Sequence, residues 1–397
     1  MKRLIAIITA ALLLFPVGAG AFTSTLNSDE AYESYTLFVP IRGKTGDEGE
    51  TEVYLVDMDG ELVHSWEYGT AGENFAWLEP DGTLWMRTGT AARPGDKTSD
   101  PKIIQMNQEG EVLWEASYEN FHHDFAVLPS GNVILIAWEK LTEENADFFS
   151  GNIEWTDKLV ELDANTLEEV WSWSAQEELD FSTMSTFGKE SEVLHTNAVE
   201  YLNENPFTGE PALLISSKIQ STIHMIEYPS GEVLWEFSEN LEGQHDPTFL
   251  ENGNILIFNN GKKSSEVLEV DPLTNEVVWS YDAVGFASKF ISGAQRLENG
   301  NTFITEGDDG HLFEVNSEGD VLWDMTPFTE GGTIFRAYKY SEYEIPWLLE
   351  DTPLEIEHVS PHDEVELEFW HYIAASSFIL MLFFLIRKYT SKSGSVL

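Results

Sequence analysis

Short runs of alternating apolar and polar residues dominate the chain, and a period of two is the mark of half-buried strands. One unit recurs six times: an apolar alternation, a turn holding Asp, Asn or Gly, then a short strand ending in Trp. The copies occupy 53–66, 103–114, 159–171, 223–235, 267–279 and 312–323. Each reads as a β-hairpin. Their closing residues, Trp66, Trp114, Trp171, Trp235, Trp279 and Trp323, lie 48, 57, 64, 44 and 44 residues apart. A second hairpin, turning on Gly-Asn, falls between copies at 126–136, 248–257 and 294–304, with a weaker form at 78–85. Two hairpins make a four-stranded unit, and an all-β period of about 40–50 residues marks propeller blades. The pattern therefore predicts an all-β, six-bladed β-propeller over 50–342, preceded by a lead-in at 22–49. The longer intervals predict loop insertions. The recurring Trp residues are expected to pack between blades, where their apolar area is buried.

The ends of the chain break this pattern. Met1-Lys2-Arg3, an apolar run from Leu4 to Val17 and the small-residue stretch Ala19-Gly20-Ala21 read as a signal peptide over 1–21, with an uncleaved anchor as the alternative. Residues 369–386 are apolar enough for a transmembrane helix of minimal length. Trp370 and Tyr372 sit at its outer edge, and Arg387, Lys388 and Lys392 follow it. Those cations predict a cytoplasmic tail at 387–397 and a body facing outward, a single-pass membrane protein with its propeller outside the cytoplasm. The acidic, Pro-containing stretch 343–368 reads as a tether.

Charge and cysteine content narrow the function. With 21 Lys+Arg against 70 Asp+Glu, the formal net charge is −49. No nucleic-acid partner is expected, since phosphate binding needs clustered cations. A surface this acidic suits high salt. Any anionic substrate must then meet a local cation. The chain has no Cys, which removes disulfides, thiolate metal sites and a Cys nucleophile.

The repeat places three histidines. His123 and His245 each stand five residues before a Leu that ends the same strand pattern, and His195-Thr-Asn-Ala-Val199 aligns with His123-Asp-Phe-Ala-Val127. Two other repeats carry Glu73 and Ser292 there. The first strand of a blade lines the central channel, so the three imidazoles are expected to converge at one mouth of it. Asn197 points to the same face as His195, and Lys218 ends the next strand. A metal held by the histidines is a competing reading, weakened by the lack of a carboxylate at a fourth matching position. His122, His64, His224, His311, His358, His362 and His371 have no equivalent partners and read as structural or exposed. Phe121, Phe125, Trp138 and Phe258 are either core or the wall of an aryl pocket.

These motifs resemble those of the bacterial-type arylsulfate sulfotransferases. The resemblance rests on His122-His-Asp-Phe125, His195-Thr-Asn197, Ser216-Ser-Lys-Ile-Gln-Ser221, Gly243-Gln-His-Asp-Pro247, Phe258-Asn-Asn-Gly261 and Phe335-Arg-Ala-Tyr-Lys-Tyr340, over roughly residues 50 to 342. It implies a six-bladed propeller that moves a sulfuryl group from an aryl sulfate donor to a phenolic acceptor without a nucleotide donor or other cofactor. It implies His245 as the nucleophile that becomes a sulfohistidine, flanked by His123 and His195. Asn197 and Lys218 would bind the sulfuryl oxygens, Lys218 standing where the family carries Arg. No metal and no protein partner are implied. The alternatives are a non-catalytic propeller binding an anion, glycan or protein at the channel mouth, and a quinone-dependent dehydrogenase, for which no calcium-and-base set is evident.

Overall fold

The computed structural model describes residues 22–41, 51–69, 75–89, 94, 101–149, 153–185, 191–327 and 332–349. The expected signal peptide, transmembrane helix and cytoplasmic tail, and Glu73, lie outside the described residues. No helix among the described residues is long and apolar enough to cross a membrane.

Six antiparallel sheets form the propeller. Blade 2 runs from Phe75–Leu78 at its inner edge to Val112–Ser117 at its outer edge, and blade 3 from Phe121–Val127 to Glu169–Ser174. Blade 4 runs from Thr196–Leu202 to Val233–Phe237, and blade 5 from His245–Phe249 to Glu276–Tyr281. Blade 6 runs from Gly293–Arg296 to Val321–Met325 and gains a fifth strand, Ser24–Asn27. Blade 1 is composite. Its inner strand, Thr333–Tyr340, pairs with Tyr35–Ile41, which pairs in turn with Thr51–Val56. Residues expected as a lead-in thus supply strands to two blades, and the chain closes on itself.

Alternation explains the core. Each sheet is covered on both faces, so its middle strands read as unbroken apolar runs rather than strict alternations. In Val133–Lys140, Ile134 and Ile136 pack with Leu213 and Ile215 of blade 4. Val133 and Leu135 pack with Trp85 and Ile103 of blade 2. The six main apolar clusters all sit between neighbouring blades. The repeat Trp residues lie at these seams, as expected, and each indole N–H donates to the next blade. Trp66 donates to Asn107 O, Trp114 to Ala164 O, Trp171 to Pro229 O, Trp235 to Asn275 Oδ1, Trp279 to Ser317 O, and Trp323 to Met58 O. Six links run round the ring and meet.

The long intervals hold insertions, with short helices at Glu143–Ala146 and Ala175–Glu178. Within residues 343–349, expected as the start of a tether, Ile345 and Trp347 are packed instead. Ile345 is fully buried, and Trp347 meets Trp66 with ring centroids 6.2 Å apart. These side chains are too apolar to stay in water.

Candidate active site

The inner strands of blades 3, 4 and 5 share a local irregularity near one mouth of the channel. His123, His195 and Asp246 all take positive φ, 51°, 52° and 51°. Non-glycine residues adopt this region at a cost, and clusters of such residues mark functional sites. The cause is a β-bulge in each strand. The bulges differ in one respect that the sequence spacing hides. His245 pairs with Phe258, and His195 O accepts from Lys218 N, but in blade 3 it is His122 that pairs with Ile136. Two residues, His123 and Asp124, then project from the ladder. His123 and His245 match by counting and differ by pairing.

Carboxyl groups hold these bulges to their neighbours. Asp124 Oδ2 accepts from Val199 N at 3.0 Å, Asp157 Oδ2 from Thr196 N at 2.6 Å, and Glu200 Oε2 from Phe249 N at 2.8 Å. Arg336, on the closing strand, reaches Asp124 Oδ2 at 2.8 Å and Asp246 Oδ1 at 3.1 Å. One guanidinium therefore ties blades 3 and 5 to blade 1. Burial opposes its charge, but the two carboxylates hold it firmly protonated.

The three histidines are each oriented through Nδ1. His245 Nδ1 lies 2.7 Å from Asn260 Oδ1 and 3.0 Å from Gly243 O. Both partners only accept, so Nδ1 carries the proton and Nε2 the lone pair. Asn260 is itself fixed, donating to Ser288 O and Ile291 O. Burial, reinforced by the charge of Lys218, pushes His245 down to about 3, so it is neutral near pH 7. His195 Nδ1 is 2.9 Å from Oε1 of the fully buried Glu192. The His195 and His123 rings meet with centroids 4.5 Å apart. Burial and then His195 hold His123 well below its ordinary value, with His122, Arg87 and Lys218 adding to the effect.

His122 was expected to be structural or exposed, and it is not exposed. It is fully buried, stacked on Trp138 at 3.9 Å, with its Nδ1 2.7 Å from His123 Nδ1. The extra bulge residue turns it inward. Among the described residues no group of three or more His, Asp or Glu side chains is arranged to hold a metal ion.

Lys218 and Asn197 also join this cluster. Lys218 faces His245 and His123 electrostatically, and its Nζ sits 5.2 Å from the ring centroid of Phe290, which is more than half exposed. Asn197 is fully buried, and its amide donates to Gln244 O at 2.9 Å, one residue before His245. Phe121, Phe125, Trp138 and Phe258 are all buried. Phe125 borders a channel cavity of about 360 Å³ that begins one residue beyond the histidines. Phe290, Arg87, Arg336, Glu192, Asp157 and Asn260 escaped the sequence reading as site residues. Arg336 and Asn260 lay within quoted motifs, and the others carried no signal.

Comparison with known proteins bears on the fold and the family. A protein of unknown function from Bacteroides caccae superposes with a TM-score of 0.50 at 15% identity, over 78% of this chain and 100% of that one. The Dos1 propeller matches with a TM-score of 0.39 at 12% identity, over 82% of this chain and 77% of that one. The first likeness supports the fold alone. No curated protein matches the chain. The arylsulfotransferase (ASST) family matches residues 101–328, which include His123, His195, Asn197, Lys218 and His245. That span is more than half of the 397 residues, and the chain belongs to the arylsulfotransferase family.

Proposed function

We propose that the protein transfers a sulfuryl group from an aryl sulfate to a phenol through a sulfated His245. The observation that carries this is the Nδ1–H of His245 held by Asn260 Oδ1 at 2.7 Å. It leaves Nε2 as a neutral nucleophile beside a cation, Lys218. In the first half-reaction Nε2 attacks sulfur, the S–O(aryl) bond breaks and the aryl oxide departs. In the second, the acceptor oxygen attacks sulfur, the N–S bond breaks, and the phenolic proton goes to His123. Lys218 and His195 stabilise charge on the sulfuryl oxygens, and loss of one such donor typically costs on the order of 10²–10³ in rate. Asn197 holds the backbone beside His245, and its second amide hydrogen is left for a sulfuryl oxygen. Phe290 offers its ring to the aryl group. On the sequence reading, this body faces outward from a membrane anchor at 369–386.

The test is intact-mass analysis after brief exposure to 4-nitrophenyl sulfate, beside His245→Ala. A mass gain of one SO₃ on the wild type only, with nitrophenol released, supports the reading. Folded protein that gains no mass and releases no nitrophenol overturns it in favour of a binding propeller.

A further inference from the structure

The transfer to a phenol releases a proton, and the site must place it somewhere. His123 is poorly suited to keep it. Its ring meets His195, and Lys218 and Arg87 face it electrostatically. An imidazolium there would stand among cations. The geometry behind His123 offers a better place.

His122 Nδ1 and His123 Nδ1 are 2.7 Å apart, so one donates and the other accepts. On its far side, His122 Nε2 lies 3.3 Å from Asp157 Oδ1. Both atoms are buried and neither is hydrogen-bonded, so the carboxylate oxygen and the ring nitrogen are charged and polar neighbours across this 3.3 Å gap. A carboxylate needs the N–H to face it, which puts the proton of neutral His122 on Nε2. Nδ1 of His122 is then the acceptor, Nδ1 of His123 the donor, and Nε2 of His123 bears a lone pair toward the other histidines. Burial holds His122 below its ordinary value, and Asp157 and then Glu192 work against that burial by favouring its charged form. Trp138 covers the His122 ring, and the ring has no exposed surface, so a proton stored there reaches the site only through His123.

We infer that Asp157 and His122 form a buried proton relay behind His123 that takes up the acceptor phenol's proton. This rests on the sulfotransfer reading above. As the acceptor O–S bond forms and the N–S bond of His245 breaks, the phenolic proton passes to His123 Nε2. The Nδ1 proton of His123 crosses to His122 Nδ1. His122 becomes an imidazolium facing Asp157, His123 is neutral again, and no electrons are gained or lost. The proton returns by the same path to the next departing aryl oxide. His122 and Asp157 are positioning residues, since neither touches substrate.

The test loads the protein with sulfate and follows transfer to two acceptors, phenol and a nitrophenol that is already ionised at the working pH. In Asp157→Asn the phenol-to-nitrophenol rate ratio should fall about 10²-fold or more, the scale of general-base catalysis. His122→Asn keeps an acceptor for His123 but cannot pass a proton, and should lower the ratio equally. A ratio equal to that of the wild type in both variants would leave only a structural role and overturn the relay. Nitrogen NMR of the wild-type histidines supplies a readout that needs neither folding of a variant nor turnover. His123 protonated at Nδ1 and His122 at Nε2 support the relay, and the opposite tautomers sink it. Absence of any sulfated protein, with those tautomers present, would instead count against the transfer reading.

Discussion

Asn260 fixes the tautomer of His245 by accepting its Nδ1 proton at 2.7 Å, while its own amide is anchored to Ser288 O and Ile291 O. A wrong tautomer leaves the nucleophile in place without a lone pair. Asn260→Leu should therefore fold and lose sulfation of His245 by up to about 10⁴, the scale seen when a catalytic His is mis-tautomerised. The rate of nitrophenol release from 4-nitrophenyl sulfate measures it. A rate near the wild type would mean that Gly243 O alone suffices.

The charge of Lys218 works in two directions. It lowers His245 and, in the proposed reaction, offers a cation to the sulfuryl oxygens. Lys218→Met should slow sulfation by on the order of 10²–10³. Lys218→Arg should retain activity, because the guanidinium keeps the charge and adds a planar fork. Single-turnover rates for the two variants, side by side, separate charge from geometry.

The pH dependence has a definite sign. His245 falls from 6.5 to about 3 on folding, so the unfolded chain binds the extra proton below pH 6.5. Stability is therefore lost as pH drops from 6.5 toward 3, by about 1.4 kcal/mol per pH unit for this group. Glu200 works the other way. Burial raises it from 4.5 to about 8, so the native state holds a proton the unfolded chain releases, and this contribution fades as pH rises from 4.5 to 8. Urea melts of wild type and Glu200→Gln across this range should diverge increasingly above pH 4.5, with the variant the more stable. Sulfation of His245 should show no His-type acid limb between neutrality and pH 5.

Lys339 and Glu314 form a pair with no exposure at either side chain, Nζ to Oε2 at 2.6 Å, joining the closing strand to blade 6. Lys339→Ala should cost about 3–5 kcal/mol, because it strands a buried carboxylate. The double variant Lys339→Met, Glu314→Leu should recover most of that loss. Equilibrium denaturation tests both.

Phe290 is exposed and lies against Lys218. Phe290→Ala should raise KM for aryl sulfates more than it lowers kcat, as loss of uniform binding does. A fall in kcat alone would assign the ring to another task.

The blade count and the seam Trp residues were legible because hairpin periodicity and burial between sheets leave a repeating trace. That His123, His195 and His245 lie near one another was suggested by the repeat, but their strict equivalence was not real, since His123 projects from a bulge where His245 is paired. His122 was not legible. Its inward turn depends on a bulge one residue longer than that of blade 5, and counting residues cannot tell an inserted residue from a paired one. Blade 1 was equally hidden, because its inner strand and its neighbours are separated by nearly the whole propeller. Lys218 was visible as one of few cations, whereas Phe290, which lies against it, and Arg87, which acts with it on His123, fall outside any repeat.

The composite blade has a consequence for the order of events during synthesis. Blades 3, 4 and 5 carry all the site histidines and can pair their strands once residue 281 has emerged. The guanidinium that braces Asp124 and Asp246 belongs to the strand Thr333–Tyr340, which comes last and seals the circle against Tyr35–Ile41. A nascent chain thus holds His245 before it holds the brace. Bracing of the site and ring closure are completed by the same late segment, so an unfinished molecule is unbraced as well as open.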